Sequence, residues 1–333
     1  MKIQLTHNYD DIICLENLLE AWKEFAKGKR SKQDVQILQM YLMDNIFVLH
    51  DELLHHTYKH SHYQAFKIND PKPRDIHKAI VRDRLLHHAI YRKLYPFFDR
   101  TFIADSFSCR LEKGAHKSID RFRKFSNIVS KNNTKNCWIL KCDIRKFFAN
   151  IDHEILVKIL QGYITDKNIL WLLEEVISSF STKRKNNVGL PLGNLTSQLL
   201  VNIYMNKFDQ FAKHNLKVKY YIRYADDFVI FSEDKKYLEN IIPKISDFLE
   251  IQLKLKLHPN KVCIKTLFSG VDFLGWINFS DHRVLRTSTK IRMMKRIMEN
   301  PKQESLNSYL GMLGHGNTRK LQQKLEIAYM DSK

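Results

Sequence analysis

The chain has 333 residues, 44% apolar and 11% aromatic, a composition that supports a real core divided among two or three packed units. Lys and Arg number 55 against 36 Asp and Glu, a formal net charge of +19, so the surface attracts polyanions, nucleic acid first and an anionic membrane second. No apolar run approaches the roughly 18 residues of a membrane span and Met1 to Asp11 is no signal peptide, so the expectation is a cytoplasmic chain, without a membrane partner, that binds nucleic acid.

In chain order, residues 1–66 read as a helical extension: "LENLLEAWKEF" carries apolar residues at helical spacing, "GKRSKQDV" interrupts, and "VQILQMYLMDNIFVLHDELL" resumes. His50, His55, His56, His60 and His62 fall close together here; with no Cys among them and no common ligand spacing, a solvated face is preferred to a metal cluster. Residues 67–135 hold 17 Lys/Arg against 7 Asp/Glu. Within them "NDPKPRDI" reads as extended, because residues before proline are pushed out of the helical region, and "HKAIVRDRLLHHAIYRKLYPFF" reads as a basic helix ending near Pro96. Residues 136–280 open on "CWILKCDIRKFF", a buried strand running into a turn, followed by the amphipathic helices "HEILVKILQGYI" and "KNILWLLEEVISSF". After "GLPLG" a helix follows with Leu195, Leu199, Ile203, Tyr204, Phe208 and Phe211 on one face. A hairpin over Tyr221 to Ser232, the helix "LENIIPKISDFLEIQL", and strands in "LKLHPNKVCIKTL" and "VDFLGWINF" complete this stretch. Residues 281–333 read as helical, with the basic "STKIRMMKRIMEN" stopped by Pro301. The mixture is α+β. The five cysteines (Cys14, Cys109, Cys137, Cys142, Cys263) are odd in number and lack CxxC spacing, which reads as reduced thiols.

The chemistry concentrates in "YIRYADDFVIFS". Val218, Tyr220, Ile222 and Tyr224 alternate as a half-buried strand should, Phe228 to Phe231 is a second run, and Ala225-Asp226-Asp227 is the turn between them. Turn chemistry explains one aspartate well and two poorly, since adjacent carboxylates repel. Asp143 ends an apolar strand far upstream, where a helix N-cap is the competing explanation. Three carboxylates at two strand ends suit a pair of divalent cations about 3.5–4 Å apart, which activate an attacking hydroxyl and stabilise a leaving phosphate. Magnesium prefers such oxygen ligands and keeps water or substrate phosphate in its shell.

"YADD" inside an apolar hairpin resembles the YxDD box of reverse transcriptases. "DPKPRDI", "SFSCRLEKGAH", "KCDIRKFFANIDH", "GLPLGNLTSQ", "RYADDFVIF" and "FLGW" follow in the order of that family's fingers and palm motifs, over about residues 70–276. A four-letter box is weak, whereas six ordered boxes are specific. The "GNLTSQ" form and the "AWKEFAKGKR" opening look most like diversity-generating retroelement reverse transcriptases, of the group II intron-like lineage. The resemblance implies a right-hand polymerase fold: fingers over 67–135, a palm with an antiparallel sheet over 136–280, and a short helical thumb over 281–333.

By motif matching, Asp143, Asp226 and Asp227 hold two Mg2+ ions, with the Ile144 carbonyl as an extra ligand, and bound metal offsets the repulsion between Asp226 and Asp227. The primer 3′-hydroxyl then attacks the α-phosphate of a dNTP. Lys72 and Arg74 match the basic pair over the incoming triphosphate, where a guanidinium grips phosphate bidentately; a general backbone contact is the alternative for both. Phe148 stands at the family's sugar gate, where a ring excludes a 2′-hydroxyl; the adjacent Phe147 reads as core, with the two exchanged as the alternative. Leu192 occupies a position where many related polymerases have glutamine against the incoming nucleotide. The aliphatic residue matches the error-prone class, whose infidelity falls opposite template adenine, because discrimination by weak apolar contacts is small; simple packing is the alternative. Gly193 lets the backbone approach the nucleotide, and Gln198 is either template-side or structural. Gly275 and Trp276 match the primer grip, although Trp276 is equally explained as core. Lys290, Arg292, Lys295 and Arg296 lie along the phosphates of the hybrid duplex.

The expected activity is RNA-directed DNA synthesis on a template-repeat RNA, giving adenine-mutagenised cDNA, with RNA/DNA hybrid and dNTPs as ligands and a small basic pentameric accessory protein as partner. A chain without maturase, endonuclease or integrase segments fits that expectation. A stand-alone group II-like or antiphage-defence reverse transcriptase is the runner-up, and a catalytically dead RNA-binding module is disfavoured by the three intact carboxylates.

Overall fold

The computed structural model describes residues 3–69, 73–182 and 187–332. The N-terminal stretch forms α1 (Tyr9–Ile13), α2 (Leu15–Ala26), α3 (Gln33–Met40) and α4 (Leu42–Leu54), then the hairpin strands β1 (Gln64–Ile68) and β2 (Arg74–Lys78). Next come α5 (Val81–Asp99), α6 (Ala115–Val129), β3 (Trp138–Asp143), a 3-10 turn (Phe147–Asn150), α7 (His153–Gln161), α8 (Lys167–Ser178) and α9 (Leu195–Gln210). The catalytic-candidate hairpin is β4 (Tyr221–Tyr224) and β5 (Asp227–Ser232), followed by α10 (Lys235–Leu253) and β6 (Cys263–Thr266). Short strands β7 (Val271–Phe273), β8 (Trp276–Asn278) and β9 (Arg283–Leu285) precede α11 (Thr287–Glu299), α12 (Gln303–Leu313) and α13 (Arg319–Asp331).

The chain folds as two compact units interleaved along the sequence. The first takes residues 1–104, 144–216 and 245–256 and is mainly helical. Side-chain caps start α1, α7 and α8. Asn8 and Asp11 form a reciprocal capping box on α1, Asp152 accepts from Ile155 N at 3.0 Å on α7, and Asp166 accepts from Asn168 N at 2.8 Å on α8. Asp166 also accepts from Tyr9 N at 2.8 Å, tying α1 to α8. α9 is the central element and is buried on nearly every side, including Thr196, Asn202, Asn206 and Asp209. The single apolar face expected for it is therefore too narrow, and its ends Leu195 and Phe211 are only half-buried. α5 runs three residues beyond Pro96. Pro96 offers no N–H to the Arg92 carbonyl, so one bond is lost within the helix, which still runs on to Asp99.

The histidine group does not form one solvated face. His55, His56 and His62 are exposed, but His50 Nδ1 donates to the Ile13 carbonyl at 3.0 Å, and His60 is enclosed, stacked between Tyr63 at 4.7 Å and His87 at 5.3 Å. Residues 1–66 are also not wholly helical, since β1 begins at Gln64.

The second unit takes residues 105–143, 217–244 and 257–332 of the described chain. Its main sheet is antiparallel, in the order β4-β5-β3-β6. β3 is buried on both faces apart from Trp138 and Lys141, and Phe122, Phe125, Ile139, Val229 and Phe231 form the adjoining core. A second, three-stranded sheet, β7-β8-β9, carries α11 to α13. The expected long strand in "LKLHPNKVCIKTL" shortens to β6, and β9 has no counterpart in the sequence reading. At three residues it is too short for period-2 alternation to register.

Trp276 anchors the helical end of this unit, packed with Leu285, Met293, Ile297 and Leu325. A Cβ added at Gly316 would sit 2.1 Å from Trp276 Cζ3, inside the indole. Gly316→Ala should cost about 1–3 kcal/mol by overpacking and lower the melting temperature. Gly311→Ala on α12, where an added Cβ meets nothing within 4 Å, should be neutral or slightly stabilising. Thermal denaturation of the pair checks the contrast.

Candidate active site

The antiparallel register of β3 and β5 sets Asp143 directly opposite Asp227, and that of β4 and β5 sets Tyr224 opposite Asp227. The turn is therefore two residues, Ala225 and Asp226, and Asp227 is the first residue of β5 rather than part of the turn. Ala225 has φ +54°, where a glycine would be unstrained. Such outliers cost on the order of 1–3 kcal/mol and persist where surrounding structure holds them. All three aspartates belong to the second unit.

The charges are crowded. Asp226 is pushed from the ordinary 3.8 up to about 6 by burial first, then by the carboxylates of Asp227 and Asp143, with Lys261 opposing. Asp227 is raised by burial above all and by Asp143, while Lys141 pulls the other way. Lys261 Nζ lies 2.8 Å from Asp143 Oδ2, and Lys141 Nζ lies 3.9 Å from Asp227 Oδ1. Asp227 Oδ1 is buried without a hydrogen-bond partner, an acceptor that a cation would satisfy. Among the described residues no three His, Cys, Asp or Glu side chains are gathered as a finished cage, the aspartates included. What the fold supplies is an all-oxygen donor set at two adjoining strand ends with an orphaned acceptor, and those donors fit a hard divalent cation.

Lys141 and Lys261 escaped the sequence reading. Lys141 had a signal, since it stands two residues before Asp143 in an apolar strand and so shares its face. Lys261 had none, being brought in by the loop that also sends His258 N to the Asp143 carbonyl at 2.8 Å.

The nucleotide-binding candidates lie in the first unit. Phe147 is buried and Phe148 half-exposed, their rings edge to face at 5.5 Å. The Phe148 carbonyl accepts from Leu190 N at 2.8 Å, and the Leu192 carbonyl accepts from His77 N at 3.0 Å. Asn194 adds a bond from Nδ2 to the His77 carbonyl at 3.1 Å. The structure thus sets half-exposed Leu192 and exposed Gly193 beside β2, at whose start Arg74 is exposed, and ties Phe148 to the same loop through Leu190. Lys72 lies outside the described residues. Gln198 is half-buried in the first turn of α9. Ile144 adjoins Asp143 in the chain and is buried.

The remaining candidates fall in a turn, a core and a helix surface. Leu274 and Gly275, with φ of +50° and +88°, are the two central residues of the β7–β8 turn, so Gly275 meets a conformational demand, and an added Cβ would meet nothing within 4 Å. Trp276 is core. Lys290, Lys295 and Arg296 are exposed and Arg292 half-exposed on α11, whose Met293 and Ile297 face the core.

A solved telomerase from Candida albicans, in complex with a fragment of telomeric RNA, shares this fold: TM-score 0.52 at 12% identity, covering 81% of this chain and 56% of that one. The fold is therefore of the right-hand type. A family model described as reverse transcriptase (RNA-dependent DNA polymerase) matches residues 67–278, more than half of the chain. The chain belongs to the reverse transcriptase family and is by class an RNA-directed DNA polymerase, a family that generally uses divalent metal ions. Protein YkfC of Escherichia coli K12 is 26% identical over 314 residues, covering 81% of this chain and 79% of its own length. The group II intron-encoded protein LtrA of Lactococcus lactis is 23% identical over 290 residues, covering 67% of this chain. This chain spans 46% of LtrA and 30% of the putative COX1/OXI3 intron 2 protein of Saccharomyces cerevisiae, to which it is 21% identical over 275 residues. No described helix is long and apolar enough to cross a membrane.

Proposed function

We propose that the chain is the polymerase of a diversity-generating retroelement, copying a template-repeat RNA into cDNA with errors opposite adenine. The observation that carries this reading is Leu192, aliphatic and half-exposed immediately before Gly193. In this reading Asp143, Asp226 and Asp227 hold two Mg2+ ions, with the Ile144 carbonyl beside them. The metal supplies charge neutralisation at the reacting phosphate and a more acidic primer hydroxyl. The chain's own residues bind and orient: Arg74 and Lys72 on the triphosphate, Phe148 against a 2′-hydroxyl, and Lys290, Arg292, Lys295 and Arg296 on the hybrid backbone. Segments 67–135, 136–280 and 281–333 act as fingers, palm and thumb, and 1–66 as an appended helical segment.

The test is to purify the chain, supply templates differing only in adenine content, and sequence the products. Misincorporation should concentrate at template adenines, and Leu192→Gln should lower it there by severalfold, since one regained polar contact is worth about 1 kcal/mol. A flat error spectrum in both proteins removes the reading and leaves a stand-alone group II-like polymerase, which the likeness to LtrA supports.

A protein partner is supported by residues 33–58, which contain no Lys or Arg in a chain with 55. There α3, α4 and the junction residue Tyr41 (61%) expose apolar surface, with Met40 (73%), Phe47 (49%) and Val48 (55%), beside Asp44 and Asp51. Apolar surface flanked by acid suits a basic protein and repels RNA. The proposed small basic pentameric protein would dock here. Phe47→Asp should weaken its binding at least about tenfold, as expected for a buried aromatic anchor, and leave primer extension on naked RNA unchanged. Unaltered binding in calorimetry places the partner elsewhere.

A further inference from the structure

The motif "SFSCR" has no part in the chemistry above, yet it is joined to the acidic turn. Ser106 pairs with Arg223 of β4 in a parallel bridge. Arg223 N donates to the Asp105 carbonyl at 3.0 Å and Phe107 N to the Arg223 carbonyl at 3.0 Å. The Arg223 side chain is fully buried, the largest such side chain among the described residues. Its Nη2 donates to Ser106 Oγ at 3.0 Å and its Nη1 to the Ala225 carbonyl at 3.2 Å. The segment is itself held: Arg110 Nη1 donates to the Ser106 carbonyl at 2.9 Å, Arg121 Nε to the Asp105 carboxylate at 2.6 Å, and Ser108 hydrogen-bonds the Tyr224 side chain.

A buried guanidinium is costly to desolvate, and an apolar side chain would fill the same place in β4 without that cost. What the arginine adds is a rigid fork that reaches two acceptors at once. One acceptor is the anchored Ser106. A second is the carbonyl of Ala225, the residue held at positive φ immediately before Asp226. We propose that Arg223 and Ser106 form a brace that sets the Ala225-Asp226 turn and so aims Asp226 and Asp227. Arg223 is a positioning residue, and this role rests on the reading of the aspartates as the metal-holding centre.

The full chain carrying Ser106→Ala, Arg223→Lys, Arg223→Met, or Ser106→Ala with Arg223→Met is compared with Asp226→Asn. Four readouts are taken: primer extension, Mn2+ binding by electron paramagnetic resonance without nucleic acid, hydrogen exchange over residues 225–228, and affinity for an RNA/DNA hybrid. Ser106→Ala should weaken Mn2+ binding and slow extension by about three- to tenfold, the worth of one buried hydrogen bond. Arg223→Met should do more, Arg223→Lys less than Arg223→Met, and the double variant no more than Arg223→Met, because the two residues act as one device. Exchange at the turn should quicken while hybrid affinity holds. Should Arg223→Met fail to fold, Ser106→Ala, which deletes one oxygen, decides. Wild-type Mn2+ affinity and exchange in Ser106→Ala and Arg223→Lys, beside an inactive Asp226→Asn, overturn the brace and leave the carboxylate reading standing. An active Asp226→Asn overturns that reading and the brace with it.

Discussion

Asp226→Asn should stop Mg2+-dependent primer extension, by about a thousandfold or more, while RNA affinity stays the same and the protein becomes more stable. The loss is on the scale seen when a preorganised electrostatic group is removed from a reacting centre. The gain in stability follows from the acid's surroundings. Burial and the neighbouring carboxylates raise Asp226 from 3.8 to about 6. A carboxyl whose pKa is higher folded than unfolded binds its proton more tightly in the fold. Its contribution is therefore fully present below about pH 3.8 and lost as pH rises through about 6. Near pH 7.5 the wild-type anion is a penalty, and neutral asparagine removes on the order of 1–2 kcal/mol of it, after allowance for partial exposure to solvent. Melting curves in chelator should place the variant above wild type at pH 7.5 and level with it near pH 4. Added Mg2+ should raise wild type and move the variant little. A variant that extends primers, or that melts below wild type in chelator at pH 7.5, contradicts the assignment.

The acidic turn was legible because two local signals coincide there. Alternating apolar residues mark strands on both sides, and two adjacent anions between them make poor sense as turn chemistry alone. Asp143 was legible as a strand end, but its place opposite Asp227 is a matter of strand register, set by pairing between segments more than eighty positions apart. No local pattern encodes that. Lys261, Ser106 and Arg223 were missed for the same reason. Arg223 in particular reads from sequence as a polar residue on a strand's open face, whereas the Asp105–Phe107 segment covers it. α9 fails differently. A helix wrapped on nearly all sides has no amphipathic stripe to read, and the period-3.6 signal picks out one face of several. In "FLGW" the glycine sits in a hairpin turn and the indole in a core, placements set by register and packing that the four letters do not carry.

Gly193→Ala should cut kcat/KM for deoxynucleotide by about 10- to 100-fold, mainly through KM, with a smaller loss of stability. Gly193 has φ +110°, a conformation L side chains rarely adopt, and an added Cβ would stand 3.0 Å from Ile76 Cγ2 on β2. Strain of that kind is worth about 1–3 kcal/mol, and each 1.4 kcal/mol is a factor of ten. The backbone has two ways to respond. It can carry the strain in place, or it can swing Leu192 and Asn194 away from β2 and break the Leu192–His77 and Asn194–His77 bonds. The second displaces the half-exposed Leu192 proposed to meet the incoming base, so nucleotide binding suffers beyond any loss of folding. Gly189→Ala is the control. It too has a positive φ, +107°, and its added Cβ would press on Thr182 Cγ2 at 2.7 Å, but it stands outside the Leu192–Asn194 segment. Steady-state kinetics beside melting curves should show Gly189→Ala losing stability with little change in KM, and Gly193→Ala raising KM at temperatures where both remain folded. Equal KM values in the two variants would mean that Gly193 serves the fold alone and that the nucleotide sits elsewhere.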